Sequence, residues 1–335
     1  MATYKEIKGD VVERVASDPT NPGEGDIWYN TTTGVLKGYQ TIAAAWASGG
    51  NLNNAKETQG FGTLTAGLVA GGSPGVATTV EEYDGSTWTS STALPADRNQ
   101  VGPATQSPQT AGLIFAGNSP PGSATNTSLE WDGSTWTSGG NYPASLARLA
   151  GAGTQTSALG AGGKFPHSNV AATYDGSSWT AISNIGTARY GLAGGGASDS
   201  SAVIFGGSNQ SYPTFNVVGN TEEWNGSSWS EVNNLNTARA YLAGCGTQTS
   251  ALVGAGLIGS GGPPAISMGS AISEEYDGTS WAATANPATA RHTTGMGGSA
   301  STSAFMAGGS IAPGNQTATE EYNASPIGTV TLTTS

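Results

Sequence analysis

Residues 189–232 hold four short segments: Arg-Tyr-Gly-Leu-Ala-Gly-Gly-Gly (189–196), Ser-Ala-Val-Ile-Phe-Gly-Gly (201–207), Thr-Glu-Glu-Trp-Asn (221–225) and Ser-Trp-Ser-Glu-Val (228–232). Each is too short for a stable helix, two are rich in aromatic or β-branched residues, and turn residues separate them. The stretch therefore reads as a four-stranded antiparallel sheet with strands a to d in chain order. Asn225-Gly lies between c and d, and Asp-Gly pairs stand at Asp84, Asp132, Asp175 and Asp277. Such pairs supply the positive φ of a tight hairpin.

The unit repeats. Glu-Glu-Tyr-Asp-Gly-Ser-Thr-Trp at 81–88 recurs at 129–136, 173–179, 222–229 and 274–281. Trp88, Trp136, Trp179, Trp229 and Trp281 are 48, 43, 50 and 52 residues apart. Trp46 precedes the series by 42 residues, after Tyr39 in the place of Tyr83, and Glu-Glu-Tyr-Asn at 320–323 starts a last copy. A lone sheet of four small strands cannot bury both faces. Radial stacking of such sheets as blades solves the problem, and a repeat of this length and order is the signature of a β-propeller.

These residues resemble the kelch family: a basic residue opening strand a, a Gly-Gly pair closing b, an aromatic in c and a tryptophan in d. The glycine pair stands at 71–72, 162–163, 206–207 and 308–309, and becomes Ala116-Gly117 and Ala255-Gly256 in the other copies. Strand c carries Tyr83, Trp131, Tyr174, Trp224, Tyr276 and Tyr322. Lys56, Arg98, Arg148, Arg189, Arg239 and Arg291 open strand a, which implies six blades. The resemblance covers about residues 50–335 and implies an all-β, six-bladed kelch-like β-propeller; it implies no particular activity. Either residues 326–334 or a strand around Trp46 completes the last blade. Trp46 lies 10 residues before Lys56, the interval from Trp88 to Arg98 and from Trp281 to Arg291, which favours an N-terminal clasp. The C-terminal tail is then left to add an edge strand or to meet a neighbour.

Composition narrows the function. Only 10% of the 335 residues are charged, against a usual share of about 25%, and 52 are glycine, which excludes a long-helix or coiled-coil protein. A net charge of −12 with no basic run repels phosphate backbones and anionic lipid, so neither nucleic acid nor a membrane is an expected partner. No apolar run approaches the ~18 residues of a membrane helix. The first ten residues carry charge where an export signal would be apolar. The single Cys245 excludes an intramolecular disulfide and any multi-cysteine metal site.

Six of the eleven basic residues share one repeat position, which would ring the mouth of a central channel. They read either as an anion trap or as internal partners of strand c carboxylates such as Glu81, Glu130, Glu222, Glu274 and Glu320; the cost of unpaired buried charge favours the second. From the end of strand b to the strand c aromatic the interval varies as 11, 14, 11, 17, 20 and 13 residues. From d to the next a it is 10 in all but one copy. In a propeller the b–c and d–a connections share a face, so variable loops crown the mouth of a fixed scaffold. Candidate binding residues on that face are Phe165, His167, Tyr212 and Phe215, with Arg98, Arg148, Arg189, Arg239 and Arg291. The Gly-Gly-Pro-Pro stretch at 261–264 lies in the same loop family. Such aromatics stack on sugars, enter a protein partner, or fold back on the blade edge.

No catalytic constellation is legible. A kelch-like copper oxidase resembling galactose oxidase needs two His, two Tyr and a crosslinked Cys; here His167 and His292 fall in blades three and six. Cys245 replaces Gly195 of the parallel copy, a packed site. Adjacent Glu-Glu residues point to opposite faces of a strand, so one strand cannot supply a convergent acid and base. The glycine clusters lack a P-loop lysine and a following helix. No cofactor or metal is expected.

Residues 1–33 hold most of the non-repeat charge and read as a separate anchor, with the propeller over 34–335. Ser-Asp-Pro-Thr-Asn-Pro (17–22) followed by Gly-Asp-Ile-Trp-Tyr-Asn (25–30) is similar to the lead-in of tail and fibre virion proteins of tailed bacteriophages. That resemblance implies a non-enzymatic virion component made in the host cytoplasm. Through residues 1–33 it would dock on other virion proteins as a homo-oligomer, and its loop face would meet a host-surface glycan or protein. The alternative is a kelch-type adaptor or carbohydrate-binding propeller outside any virion, and a hairpin that only caps the propeller.

Overall fold

The computed structural model describes residues 12–19, 25–41, 43–119, 122–211, 214–259, 269–311, 314–324 and 327–331, and among these every regular element is a strand. The chain forms two compact units, one of residues 1–44 with 324–335 and one of 45–323. The boundary expected at 33/34 instead falls within a hairpin: Ile27–Asn30 pairs with Val35–Thr41, so residues 34–44 and the C-terminal tail belong to the smaller unit.

In the larger unit six four-stranded sheets follow the a–b–c–d order read above. Sheet 1 is Glu57–Thr63, Ala66–Ser73, Val80–Tyr83 and Trp88–Ser90. Sheet 2 is Gly102–Pro103, Gly112–Phe115, Ser128–Trp131 and Trp136–Gly139. Sheet 3 is Ala150–Thr154, Ser157–Ala161, Ala171–Tyr174 and Trp179–Ala181. Sheet 4 is Ala193–Ser198, Ser201–Phe205, Thr221–Trp224 and Trp229–Val232. Sheet 5 is Ala243–Thr247, Ser250–Gly254, Ser273–Tyr276 and Trp281–Ala283. Sheet 6 joins Gly295–Ala300, Ser303–Ala307 and Thr319–Asn323 to Ala45–Ser48, so the strand around Trp46 is the clasp. Each strand a lies against those of its two neighbours, and sheet 6 returns to sheet 1, giving a propeller-like ring.

The repeat pattern has a physical cause in each part. The strand c aromatic is directly opposite the strand d tryptophan, as in Tyr83–Trp88 and Tyr276–Trp281, with ring centroids 4.7 and 5.0 Å apart. The four residues between them close on the acidic side chain: Asp84 Oδ1 accepts the amides of Ser86 (2.8 Å) and Thr87 (2.7 Å). Only the glycine of that turn takes positive φ, +93° at Gly85. Strand a is glycine-rich because neighbouring strands approach closely there; a Cβ on Gly151 would lie 1.9 Å from the Pro103 carbonyl oxygen.

The core sits between sheets. Phe115, Leu146, Ala158 and Tyr174 fill the space between sheets 2 and 3, and Phe205, Leu242, Val253 and Trp281 that between 4 and 5. Fully burying such side chains contributes roughly 1.5–3 kcal/mol each. Polar latches fix the spacing. The Tyr276 hydroxyl donates to Glu223 of the preceding sheet at 2.8 Å, and Tyr83, Tyr174 and Tyr322 bond Glu321, Glu130 and Glu275 in the same way. Where strand c carries tryptophan, the indole N–H goes to a backbone carbonyl: Trp131 to Gln109 (2.9 Å) and Trp224 to Asp199 (3.0 Å).

The smaller unit is a sheet ordered Glu13–Val15, Ile27–Asn30, Val35–Thr41, Ile327–Thr331, the first pair parallel. Tyr39 thus belongs to this unit and not to a blade, and the C-terminal tail supplies its edge strand. Asp18 explains the motif: its carboxylate accepts Trp28 Nε1 (3.0 Å), Asn30 Nδ2 (2.7 Å) and Lys37 Nζ (2.6 Å). Those bonds, led by Lys37, hold its pKa at about 2. A depressed carboxyl stabilises the fold above its unfolded value of about 3.9, and this contribution is lost as pH falls toward 2. The Trp28 indole N–H resonance should therefore shift as pH falls through about 2. In Asp18→Asn that transition should vanish; its persistence would assign the shift to another group.

Candidate functional site

Four of the six basic openers are internal ion pairs. Lys56 lies 3.0 Å from Glu81, Arg189 2.5 Å from Glu222, Arg239 2.9 Å from Glu274 and Arg291 3.3 Å from Glu320, and all four cations are fully buried. Burial lowers every one of these cations, Arg239 to about 10, while the carboxylate opposes the drop. The expected basic ring does not front solvent at these positions. Arg98 is buried too, but Leu129 stands where other sheets carry the glutamate, and its guanidinium bonds Thr127 and the Asp97 carbonyl. Glu130, expected to pair a cation, instead accepts the Tyr174 hydroxyl.

Arg148 is out of register. Its φ of +61° matches Gln100 (+56°), Gly191 (+63°), Tyr241 (+54°) and Thr293 (+54°), each two residues after a basic opener. Leu146 occupies the opener position of sheet 3, and Ala172 replaces the glutamate, so one apolar pair substitutes for the ion pair. The 12-residue interval from Trp136 to Arg148 is the sequence trace of this shift. Backbone bonds run round the channel mouth through these residues: Arg148 N to Gln100 O (2.8 Å), Gly191 N to Arg148 O (2.9 Å), Tyr241 N to Gly191 O (2.7 Å) and Thr293 N to Tyr241 O (2.8 Å). Thr58 N continues the collar to Thr293 O at 3.3 Å. Left-handed backbone at non-glycine residues costs about 1 kcal/mol or more each, and the collar holds it in place.

On this collar an aromatic and basic cluster assembles. The Arg148 guanidinium sits 4.4 Å from the Tyr241 ring centroid, and its Nε donates to Gln100 Oε1 at 2.8 Å. Around Tyr241 stand Tyr190 (5.9 Å), Phe215 (6.0 Å) and His292 (6.4 Å). Lys164 Nζ lies 4.5 Å from the Tyr190 ring and 5.2 Å from that of Phe165, and His167 stacks on Tyr190 at 4.9 Å. Burial and the Arg148 charge push the His292 imidazole down to about 4, and burial with Lys164 lowers His167, so both rings are neutral at pH 7. Burial raises the Glu57 carboxyl, against the pull of Arg148.

The structure thus brings Phe165, His167, Phe215 and Arg148 together. Phe165 is 53% exposed, whereas Phe215 is buried as a support under Tyr241. Tyr212 and residues 261–264 lie outside the described residues. Tyr190, Tyr241, Lys164 and Gln100 were not legible as site residues, because only the collar geometry sets them beside Arg148. That the b–c and d–a connections share this face is visible in the bridges Asn99–Asn118, Tyr190–Ser208 and His292–Ser310.

The channel beneath is closed. Gln106, in the a–b connection of sheet 2, donates through Nε2 to the carbonyls of Gly246 and Gly298, both at 2.9 Å, across the far end. A cavity of about 20 Å³ along strands a has room for one water. Cys245 is fully buried within strand a of sheet 5, its thiol pushed up to about 12 by desolvation, a packed residue and not a nucleophile. Among the described residues no three His, Cys, Asp or Glu side chains gather to hold a metal.

No family model matches the chain, and no curated protein matches it. Solved structures do. The structure of YjhT superposes with a TM-score of 0.66 at 12% identity, over 84% of this chain and 99% of that one. In all 232 chains of solved structures match, and at 12% identity the likeness speaks for fold alone.

Proposed function

We propose that this chain is a non-enzymatic recognition protein, a tail or fibre component of a tailed-phage virion. In this reading the larger unit is a six-bladed kelch-like propeller clasped by Ala45–Ser48, and the smaller unit is its attachment module. The observation that carries it is the cluster of Arg148, Lys164, Tyr190, Tyr241 and Phe165 on one loop face above a plugged channel. Cations over rings on a rigid collar are suited to holding a surface ligand, and the blocked channel leaves the face as the place to hold it. The Asp18-centred motif supports the virion reading by its resemblance.

Two measurements test the proposal. The native mass of the full chain should be a defined oligomer and that of residues 45–323 a monomer; two monomers would favour the alternative of an adaptor or carbohydrate-binding propeller outside a virion. Binding of the full chain to immobilised bacterial-envelope polysaccharides should weaken about tenfold or more in Arg148→Ala with Lys164→Ala, at unchanged melting temperature. Undiminished binding by that double variant would remove the loop face from the reading.

A further inference from the structure

Charge is segregated along the strands of the larger unit. All seven of its basic residues stand in b–c or d–a connections, on the loop face, and those connections hold a single acid, Asp97. The a–b and c–d connections at the other strand ends hold Asp84, Asp132, Asp175, Asp199 and Asp277 and no basic residue. A five-residue strand spans about 17 Å, about twice the roughly 8 Å over which physiological salt screens a charge. A ligand in contact with the loop face therefore meets the charge of that face and not the net −12 of the chain.

Four of the seven cations are neutralised by buried glutamates, and Arg98 is buried. Arg148 and Lys164 remain. Both are half-buried, and among the described residues neither lies in an ion pair. Arg148 meets Gln100 Oε1 and the Tyr241 ring, and Lys164 the rings of Tyr190 and Phe165. A ring face positions a cation without cancelling its charge. Glu57 is a carboxyl on which the Arg148 charge acts, and burial raises it above the ordinary carboxylate range. With His167 and His292 neutral, two cations without an ion-pair partner flank the Tyr190–Tyr241 ring pair.

We infer that the loop face binds an acidic polysaccharide, with its anionic groups on Arg148 and Lys164 and a sugar ring on Phe165, the large apolar side chain left exposed there. The inference rests on the recognition reading above and deepens it: the unpaired cations select the acidic class, and the ring beside Lys164 holds the apolar face of a sugar. A carboxylate and a phosphate meet the same two donors in the same way.

The test is binding of the full chain to immobilised alginate, which carries carboxylates, phosphomannan, which carries phosphates, neutral dextran, and poly-glutamate as an acidic peptide. Alginate or phosphomannan should bind and dextran should not, and the two acidic arms tell which anion is read. Arg148→Gln with Lys164→Gln, which removes both charges and keeps polar side chains, should weaken binding about tenfold or more. Raising sodium chloride from about 0.05 M to about 0.5 M should weaken it severalfold. Lys164→Glu reverses the charge of a side chain that bears on the Tyr190 and Phe165 rings; it should abolish binding and provides a second variant should the double one unfold. Binding to neither acidic polysaccharide, equal binding to dextran, stronger binding to poly-glutamate, or acidic binding that survives both variants would overturn the inference. Envelope-polysaccharide binding confined to neutral polymers would sink the acidic assignment and leave the recognition reading. Alginate or phosphomannan binding that both variants lose, with no envelope polysaccharide bound, would sink the recognition reading and leave the acidic assignment standing.

Discussion

Replacing Arg239 with methionine should destabilise the larger unit by about 3–5 kcal/mol, because it leaves a buried carboxylate without its cation. Glu274 is about 1% exposed and would keep only the amides of Asn236 and Thr237 and the Asn236 side chain as donors. The Ile272 carbonyl, which accepts Arg239 Nη1 at 2.7 Å, would also lose one of its two donors and keep the Ala255 amide at 3.1 Å. The pair itself gains little, because desolvation of two buried charges offsets their attraction. Burial draws the Arg239 guanidinium down to about 10 even with Glu274 beside it; a base lowered on folding weakens the fold at pH values below its folded pKa. Arg239→Leu combined with Glu274→Ala should thus recover most of the loss, and sheet 3 already has Leu146 and Ala172 in these two places. Arg98→Leu removes a buried cation that has no carboxylate and should cost under about 1 kcal/mol. Urea unfolding of the three variants decides the matter: a double variant as unstable as Arg239→Met would mean that packing, not charge, sets the cost.

The same comparison explains what could be read from the chain alone. Aromatic spacing carried the blade order because each strand c ring must face its strand d tryptophan across a four-residue turn, a purely local constraint. The clasp was legible for a related reason: the 10-residue step from Trp46 to Lys56 repeats the d-to-a connection of complete blades. Arg148 passes for an opener because a basic residue stands near the right place; its 12-residue step from Trp136, against 10 elsewhere, is the trace of the two-residue shift, and its left-handed φ makes the shift explicit. The tyrosine latches left only a partial trace: Glu130, Glu223, Glu275 and Glu321 each precede a sheet with a strand c tyrosine, but Glu82 at the same position precedes Trp131, and the bonds act between sheets. The smaller unit has no period to read, and its pairing with Ile327–Thr331 joins the two ends of the chain.

Residues 45–323 and residues 49–323 differ by four amino acids, yet the shorter chain should melt roughly 8–15 °C lower. Those four residues, Ala45–Ser48, are the whole outer strand of sheet 6, paired Asn323–Ala45, Tyr322–Trp46, Glu321–Ala47 and Glu320–Ser48. Removing them deletes about four backbone hydrogen bonds, each worth roughly 0.5–1.5 kcal/mol net. It also removes the Trp46 ring, 5.0 Å from that of Tyr322, and the bond from its Nε1 to the Ala285 carbonyl at 2.9 Å, which ties sheet 6 to sheet 5. The total of about 3–5 kcal/mol converts at roughly 2–4 °C per kcal/mol for a unit of this size. The loss is also topological: the strand brings the start of the unit into its last sheet, and without it the backbone bonds of Gly49, Leu52 and Lys56 to Thr319, Thr317 and Gln316 are left to hold that return. Without it Thr319–Asn323 becomes an exposed edge, open to pairing with a second chain, so the shorter chain should aggregate on warming and exchange the Thr319–Asn323 amides early. Equal melting temperatures, with equal protection of those amides, would mean that the contacts of strands a and the bonds of residues 49–56 to 316–319 hold the ring shut and that the clasp is ornamental.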